Sequence, residues 1–271
     1  MPELPEVETT RRGIEPWLVG QRVERLLVRE WRLRWRVPRS LPARIQGAKI
    51  RAVGRRAKYL LIATDAGTLI WHLGMSGSLR IMDGSSPPLA HDHVDLVLDS
   101  GRCLRFNDPR RFGCLLFTAG PPEKHALLSR LAVEPLSEDF RADDLWRRAR
   151  GRRASIKAFI MDSRIVAGVG NIYASEALFR SGIRPGLAAG RVSRIRMAAL
   201  AASIRDVLSE AIGVGGTSLR DYVDASGMPG YFGQKLFVYE RAGQPCRKCR
   251  TTIRQFTQGQ RSTYWCPHCQ R

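Results

Sequence analysis

The C-terminal stretch CRKCRTTIRQFTQGQRSTYWCPHC constrains the fold more tightly than any other part of the chain. Cys246 and Cys249 bracket two residues, sixteen residues follow, and Cys266 and Cys269 bracket two more. Each pair can offer two thiolates to one ion, and an insert of hairpin length closes a tetrahedral site, so one structural zinc ion is expected. With four sulfur ligands, no coordination position stays open for a substrate. Two alternatives accompany that reading. His268 lies inside the second pair and offers a Cys/His set, and disulfides would suit an oxidising compartment. The N-terminus lacks the basic and apolar regions of a secretory signal, which favours a reducing cytosol and hence metal. Cys103 and Cys114 lie in apolar, strand-like surroundings and read as small core thiols.

Charge narrows the choice of partner. Forty-five Lys and Arg against 25 Asp and Glu leave +20 at pH 7, which calls for a polyanion. Arginine predominates, and its planar fork suits phosphate oxygens and guanine edges, so nucleic acid ranks above a membrane surface. No apolar run of bilayer-spanning length occurs. Arg247, Lys248, Arg250, Arg254 and Arg261 surround the cysteines, as suits a finger laid on phosphates. A cytoplasmic protein is expected.

At 271 residues, 44% of them hydrophobic, the chain can bury more than one core. From about Arg22 to Phe117 it reads as short β segments: VERLLVRE, KYLLIATDAGTLIWHLG, GSLRIM, HVDLVLDSGRCLRF and GCLLF. Hairpin turns fall at Asp65-Ala66-Gly67 and Asp99-Ser100-Gly101. Val94, Leu96 and Leu98 alternate with more polar neighbours, as in a strand with one buried face. Beyond Pro121-Pro122 the pattern turns helical. SEDFRADDLWRRAR offers Ser137 as an N-cap with an acidic first turn, and IKAFIMDSR, NIYASEALFRSGI and SRIRMAALAASIRDVLSEAI follow. The expected fold class is α+β: an N-terminal β-sandwich with a terminal helix over 1–120, a helical domain over 121–237, and a zinc finger over 238–271.

Two short stretches carry chemistry. MPELPEVE puts Pro2 and Glu3 directly behind the initiator methionine. Trimming Met1 would leave proline's secondary amine as the α-amino group, which with an ordinary pKa of about 8 can supply a neutral nucleophile near physiological pH. Glu3 is the acidic group beside it in sequence and is placed to move protons. The same residues also make a plain helix start, with Pro5 at the first position and Glu6 and Glu8 favouring the dipole. Both readings can hold at once, because a helix beginning at Pro5 would keep the terminus rigid. The second stretch, RIVAGVGNIYASEALFRSGIRP, sets glycines on either side of Val169 and then Asn171 at a helix start. Glycine lets backbone approach a phosphate closely, and helix N-terminal amides attract anions; Asn171 either caps the helix or adds a side-chain donor.

These stretches belong to a series: PELPEVE, GRRAKYLL, HLGMSGSLR, HDHVDL, NDPRRFG, GVGNIYASE and QRSTYWCPHC. In content and order the series resembles the formamidopyrimidine-DNA glycosylase family, bacterial base-excision enzymes for oxidised purines, over essentially the whole chain. The resemblance implies a helix–two-turns–helix element at GVGNIYASE that grips damaged double-stranded DNA together with the zinc finger. It implies Pro2 as Schiff-base nucleophile and Glu3 as proton donor, with removal of 8-oxoguanine or formamidopyrimidines followed by β,δ-elimination. Lys58 is implied at the phosphate of the lesion, on a strand beside Arg55 and Arg56; read alone it is one more surface cation. Arg261 is implied at the same phosphates and linked with δ-elimination. Trp265 replaces the Tyr or Phe often seen in the family's finger.

A glycosylase must expel its target nucleotide and fill the gap. By the same resemblance, Met75 and Phe112 fill that space, and Arg110 reads the orphaned cytosine, whose O2 and N3 acceptors suit a side chain that only donates. Without it, a lone Met or Phe at such positions is ordinary core packing. His91, Arg153, Lys157 and Asn171 complete the implied phosphate contacts, Arg153 standing where some relatives carry lysine. The loop over Thr217–Tyr231 is expected to cover the flipped base. No organic cofactor and no membrane partner are expected, and the protein is expected to act as a nucleoid-associated monomer. The rivals are the endonuclease VIII branch of the superfamily, a DNA-binding protein without catalysis, and a zinc-containing RNA-binding protein. PELPEVE and NDPRRFG point away from the first, and no RNA-module signature supports the last.

Overall fold

The computed structural model describes residues 2–215 and 236–271, so the loop expected over Thr217–Tyr231 lies outside the described residues. The described chain divides into two compact units, one running through the N-terminal residues to Ser129 and the other comprising Arg130–Val214 with the C-terminal segment.

The first unit opens with helix α1 (Leu4–Leu18), strand β1 (Val23–Val28) and a short helix α2 (Leu41–Ile45). Seven strands follow: β2 (Ile50–Arg56), β3 (Tyr59–Thr64), β4 (Gly67–His72), β5 (Ser78–Asp83), β6 (Asp92–Leu98), β7 (Arg102–Asn107) and β8 (Cys114–Thr118). They pair antiparallel in two four-stranded sheets, ordered β1-β6-β7-β5 and β2-β3-β4-β8. The expected sandwich is present. Trp71 of β4 meets Phe106 of β7 edge-on between the sheets, with ring centroids 5.6 Å apart, and α1 adds Val7, Ile14 and Leu18 to the same core. Cys103 and Cys114 are free and fully buried, and burial pushes the Cys114 thiol up to about 12.

Turn chemistry fixes the register. Thr64 pairs with Gly67 across the Asp65-Ala66 turn. At φ +137° Gly67 occupies a conformation closed to most residues, and a Cβ there would stand 2.6 Å from Thr118 O and from the Phe117 ring. Strand β6 departs from the expected single buried face. Asp95 and Val97 are buried along with Val94, Leu96 and Leu98, because Arg29 and Arg105 reach the outer face and both donate to Asp95. A central strand can carry a carboxylate inward when two guanidinium groups arrive with it.

The second unit contains α3 (Ala142–Ala149), α4 (Ile156–Met161), α5 (Asn171–Arg180), α6 (Arg194–Gly213) and the finger hairpin β9 (Arg254–Gln258) and β10 (Arg261–Trp265). Ser155 and Ser193 cap α4 and α6, accepting from the N–H groups of Ala158 and Arg196. Ser137 does not cap α3 as expected: Arg141 holds that position, and the Ser137 hydroxyl donates to Glu134 O in the preceding turn. Among the described residues no helix is long and apolar enough to cross a membrane.

Candidate functional site

In the first unit, α1 begins one residue earlier than the Pro5 start expected, so Glu3 becomes its N-cap and Pro5 its second residue. Glu3 and Glu6 form a reciprocal capping box, in which Glu3 N–H donates to Glu6 Oε2 at 2.8 Å. Pro2 is buried and Glu3 is only 1% exposed. Pro2 therefore lies two residues before α1, next to an N-cap residue that brings a carboxyl group.

Lys58 lies elsewhere than on a strand. Arg56 pairs with Tyr59, so Ala57 and Lys58 form the two-residue turn of the β2–β3 hairpin, with Ala57 at φ 52°. Arg55 ties that turn to α1: its Nε donates to Glu8 Oε2 at 3.1 Å and its Nη1 to Ala57 O at 2.9 Å. Burial alone would raise the Glu8 carboxyl, but hydrogen bonds from Arg11, Arg12 and Arg55 outweigh it and hold the group below the usual carboxylate range. Arg55, which the motif reading passes over, thus links the helix carrying Pro2 and Glu3 to the turn carrying Lys58.

Across the β3–β4 pair, Tyr59 faces His72, and their rings lie 4.8 Å apart. Burial first, then the charges of Lys58 and Arg34, push the His72 imidazole down to about 4. His72 is therefore neutral at physiological pH, with Nδ1 accepting the Gly74 N–H at 2.9 Å. An unfolded histidine titrates near 6.5, so this group's stabilising effect is complete above that pH and is lost as pH falls toward about 4. Urea unfolding across that interval should show a loss of roughly 3 kcal/mol, and His72→Asn, which keeps an acceptor, should flatten that segment of the curve.

Three loops of this unit carry the residues expected to enter or grip DNA. Met75 is 40% exposed and Phe112 43% exposed, so neither serves the core. The Arg110 guanidinium lies over the Phe112 ring, 4.8 Å from its centroid. His91, at φ 69°, is exposed at the entrance to β6. The loops are joined to one another: Ser76 donates to Asp108 Oδ1 at 2.9 Å, Gly113 N–H to Asp108 Oδ2 at 2.7 Å, and Asp108 N–H to His91 O at 3.0 Å.

In the second unit Lys157, Asn171 and Arg261 converge on one hairpin. Gly170, not Asn171, caps α5, which leaves the Asn171 amide to donate from Nδ2 to Ser262 O at 3.1 Å. Lys157, expected at a DNA phosphate, faces the finger hairpin. The residue is 1% exposed, and its Nζ donates to Thr263 Oγ1 at 2.8 Å and Ser262 O at 3.2 Å. It holds β10 in place. Arg261, the residue before Ser262, is exposed. Arg153 is exposed on the segment joining α3 to α4.

Cys246, Cys249, Cys266 and Cys269 bring their Sγ atoms within 4.8 Å of one another. A tetrahedral zinc with Zn–S bonds of about 2.3 Å needs sulfurs roughly 3.8 Å apart, so the cluster fits one structural ion. Backbone amides of Lys248 and Cys269 point at Cys246 and Cys266 sulfurs, 3.4 and 3.5 Å away, as thiolate ligands require. His268 stays outside the cluster.

Sequence reasoning misses Glu176. It lies inside GNIYASEALF on α5, 3% exposed, and accepts the N–H groups of Phe237, Val238 and Tyr239 at 2.9, 3.0 and 2.9 Å. Burial raises its carboxyl above the usual range despite those three donors. The Phe179–Phe237 stack, 5.3 Å between centroids, completes the joint between α5 and the segment leading into the finger. The available signal is a glutamate inside an apolar helix, which needs a partner. Glu176→Ala should strand three amides and destabilise this unit by about 3 kcal/mol or more, read as a lower unfolding midpoint and faster release of zinc to a chelator.

Comparisons with known proteins match three successive stretches of the chain. The model of the formamidopyrimidine-DNA glycosylase N-terminal domain matches residues 1–115, that of the formamidopyrimidine-DNA glycosylase H2TH domain matches 131–223, and a zinc finger found in FPG and IleRS matches 243–271. The formamidopyrimidine-DNA glycosylases of Syntrophotalea carbinolica and Alkalilimnicola ehrlichii are 59% and 60% identical to the chain, each match covering 100% of both sequences. The crystal structure of the MutM (Fpg) protein from Thermus thermophilus matches with a TM-score of 0.90 at 39% identity, covering 99% of this chain and 98% of that one. Lactococcus lactis Fpg in complex with DNA containing an abasic site matches with a TM-score of 0.92 at 31% identity, covering 100% of both chains.

Proposed function

The chain belongs to the formamidopyrimidine-DNA glycosylase family and is a DNA base-excision repair glycosylase, and from that premise we propose that Pro2 is its nucleophile and Glu3 its proton-transfer group. With Met1 removed, the proline nitrogen attacks C1′ of the damaged nucleotide. The glycosidic bond breaks, the base leaves with its electron pair, and the proline nitrogen gives up its one N–H proton, which the base takes up. Opening of the sugar ring, with a proton delivered to O4′, leaves an iminium ion. A secondary amine has no second N–H to lose, so that ion keeps its charge and draws electrons from the sugar. The C2′ proton becomes acidic, the 3′ phosphate departs by β-elimination, and δ-elimination then releases the 5′ phosphate. The observation that carries this reading is the buried N-cap: Glu3 sits beside Pro2 at a fixed helix end.

The substrates proposed are 8-oxoguanine and formamidopyrimidines in duplex DNA, and the protein is proposed to act as a monomer on the nucleoid. Lys58, at its hairpin tip, and Arg261, on the finger, supply cations to the lesion phosphates; His91, Arg153 and Asn171 add further phosphate contacts. Lys157 is reassigned from phosphate contact to support of β10. Met75 and Phe112 fill the space left by the expelled nucleotide, and Arg110 reads the widowed cytosine. Borohydride reduction during turnover of an 8-oxoguanine duplex, followed by mass spectrometry of the peptide adduct, tests the chemistry. The adduct is expected on a peptide beginning at Pro2; recovery on an internal lysine alone would overturn the assignment.

A further inference from the structure

One buried carboxylate organises the three loops without belonging to any catalytic step. Asp108 is 0% exposed. Its two oxygens take neutral donors, the Ser76 hydroxyl at 2.9 Å and the Gly113 amide at 2.7 Å, and so join the Met75 loop to the far end of the loop bearing Arg110 and Phe112. Its backbone binds a third loop: Asp108 N–H donates to His91 O at 3.0 Å, and His93 Nε2 lies 2.9 Å from Asp108 O. Ser76 Oγ also receives the Arg110 N–H at 3.4 Å. The loops touch through backbone as well. At Gly74, φ +69°, a Cβ would fall 2.4 Å from both Phe112 C and Gly113 N, so no side chain can separate the two.

We propose that Asp108 is a positioning residue that sets the angle between Met75 and the Arg110–Phe112 pair, and thereby governs which base is accepted opposite the lesion. The proposal rests on the reading that these three side chains enter the duplex. Among the described residues this buried carboxylate is held by one hydroxyl and one amide; such a group is costly to desolvate, and that cost is offset only while both donors hold their places. It therefore acts as a rigid spacer between two exposed tips. Arg110 must meet two acceptors on one cytosine edge, and a displacement of about 1 Å is enough to lose such a two-point contact.

Single-turnover excision of 8-oxoguanine opposite C and opposite A, compared as a ratio, tests this. Asp108→Ala should lower the C-to-A ratio about tenfold and Ser76→Ala about threefold. Asp108→Asn, which can still accept from Gly113 and offer its amide to Ser76 Oγ, should lie nearer the unmodified protein. β-Elimination at an abasic site in single-stranded DNA, where no opposite base exists, should stay within about twofold throughout. A purely structural loss would lower all rates together and leave the ratio alone. Arg110→Ala separates the two levels. If it collapses the ratio while folded Asp108→Ala, or Ser76→Ala where the former does not fold, leaves it within about twofold, the positioning role fails by itself. If Arg110→Ala leaves the ratio unchanged, the underlying reading fails and takes this proposal with it.

Discussion

Acylation of the Pro2 nitrogen is expected to reduce both base release and strand cleavage by at least about a thousandfold, while affinity for the lesion duplex changes no more than about threefold. The asymmetry follows from where the amine lies. On the proposed reading, phosphate contacts from Lys58, Arg261 and their neighbours supply most of the binding energy, whereas the proline nitrogen contributes only when a bond forms. Pro2→Gly refines the test. A glycine amine can still attack C1′, but its imine can shed a proton and become neutral, so the electron demand on C2′ weakens. Strand cleavage should therefore fall further than base release, so that the ratio of the two rates drops below that of the unmodified protein. Single-turnover assays with separate readouts for free base and nicked strand would resolve them. Base release at an undiminished rate from fully acylated protein would end the proline assignment. Retained Met1 should behave as acylation does, and intact-mass analysis of the same preparation gives the fraction of chains affected.

The architecture around Pro2 suits the role proposed for its nitrogen. Free termini ordinarily fray. Here the capping box fixes Glu3, α1 is packed into the sandwich core through Val7, Ile14 and Leu18, and the Glu8–Arg55 contact carries that rigidity to the hairpin turn of Lys58. The sandwich thus supplies a stiff base for two groups that are far apart in sequence.

What can be read from the sequence depends on how local each cause is. The zinc ligands, the Gly67 turn and the Ser155 and Ser193 caps are specified by residues within a few positions, and pattern alone finds the first two. Exposure of Met75 and Phe112 is open on pattern and comes from resemblance, since an apolar side chain at a loop tip is the same letter as one in a core. Lys58 reads as a strand residue because GRRAKYLL has no glycine or asparagine at the turn; Ala57 accepts a positive φ that only the paired strands enforce. Strand β6 reads as one-faced because Asp95 looks solvent-directed until Arg29 and Arg105 are brought to it. Lys157 and Glu176 are the least legible of all. Their partners lie 105 and 61 or more residues away; the apolar helix around Glu176 signals that it needs a partner, but nothing near either residue says which one.

That long-range dependence makes zinc removal the other change with a large expected effect. The finger hairpin has only two strands and a small core that includes Val238, Ile253 and Tyr264, which is too little to hold it without the ion. Zinc binding in comparable modules supplies on the order of 10–16 kcal/mol. Its loss would release Ser262 and Thr263, depriving the buried Lys157 ammonium of two of its acceptors and the Asn171 amide of its own. Arg261 would lose its fixed position in the same step. Chelation to completion, verified by elemental analysis, should weaken binding to a lesion duplex by at least about a hundredfold, or roughly 2.7 kcal/mol. The slope of log affinity against log salt should become shallower as ordered phosphate contacts disappear. The first unit should keep its unfolding transition, because its core is separate from the finger's. Restored zinc should recover affinity, whereas fully demetallated protein that binds within about twofold of the original would show that the finger's order is irrelevant to DNA.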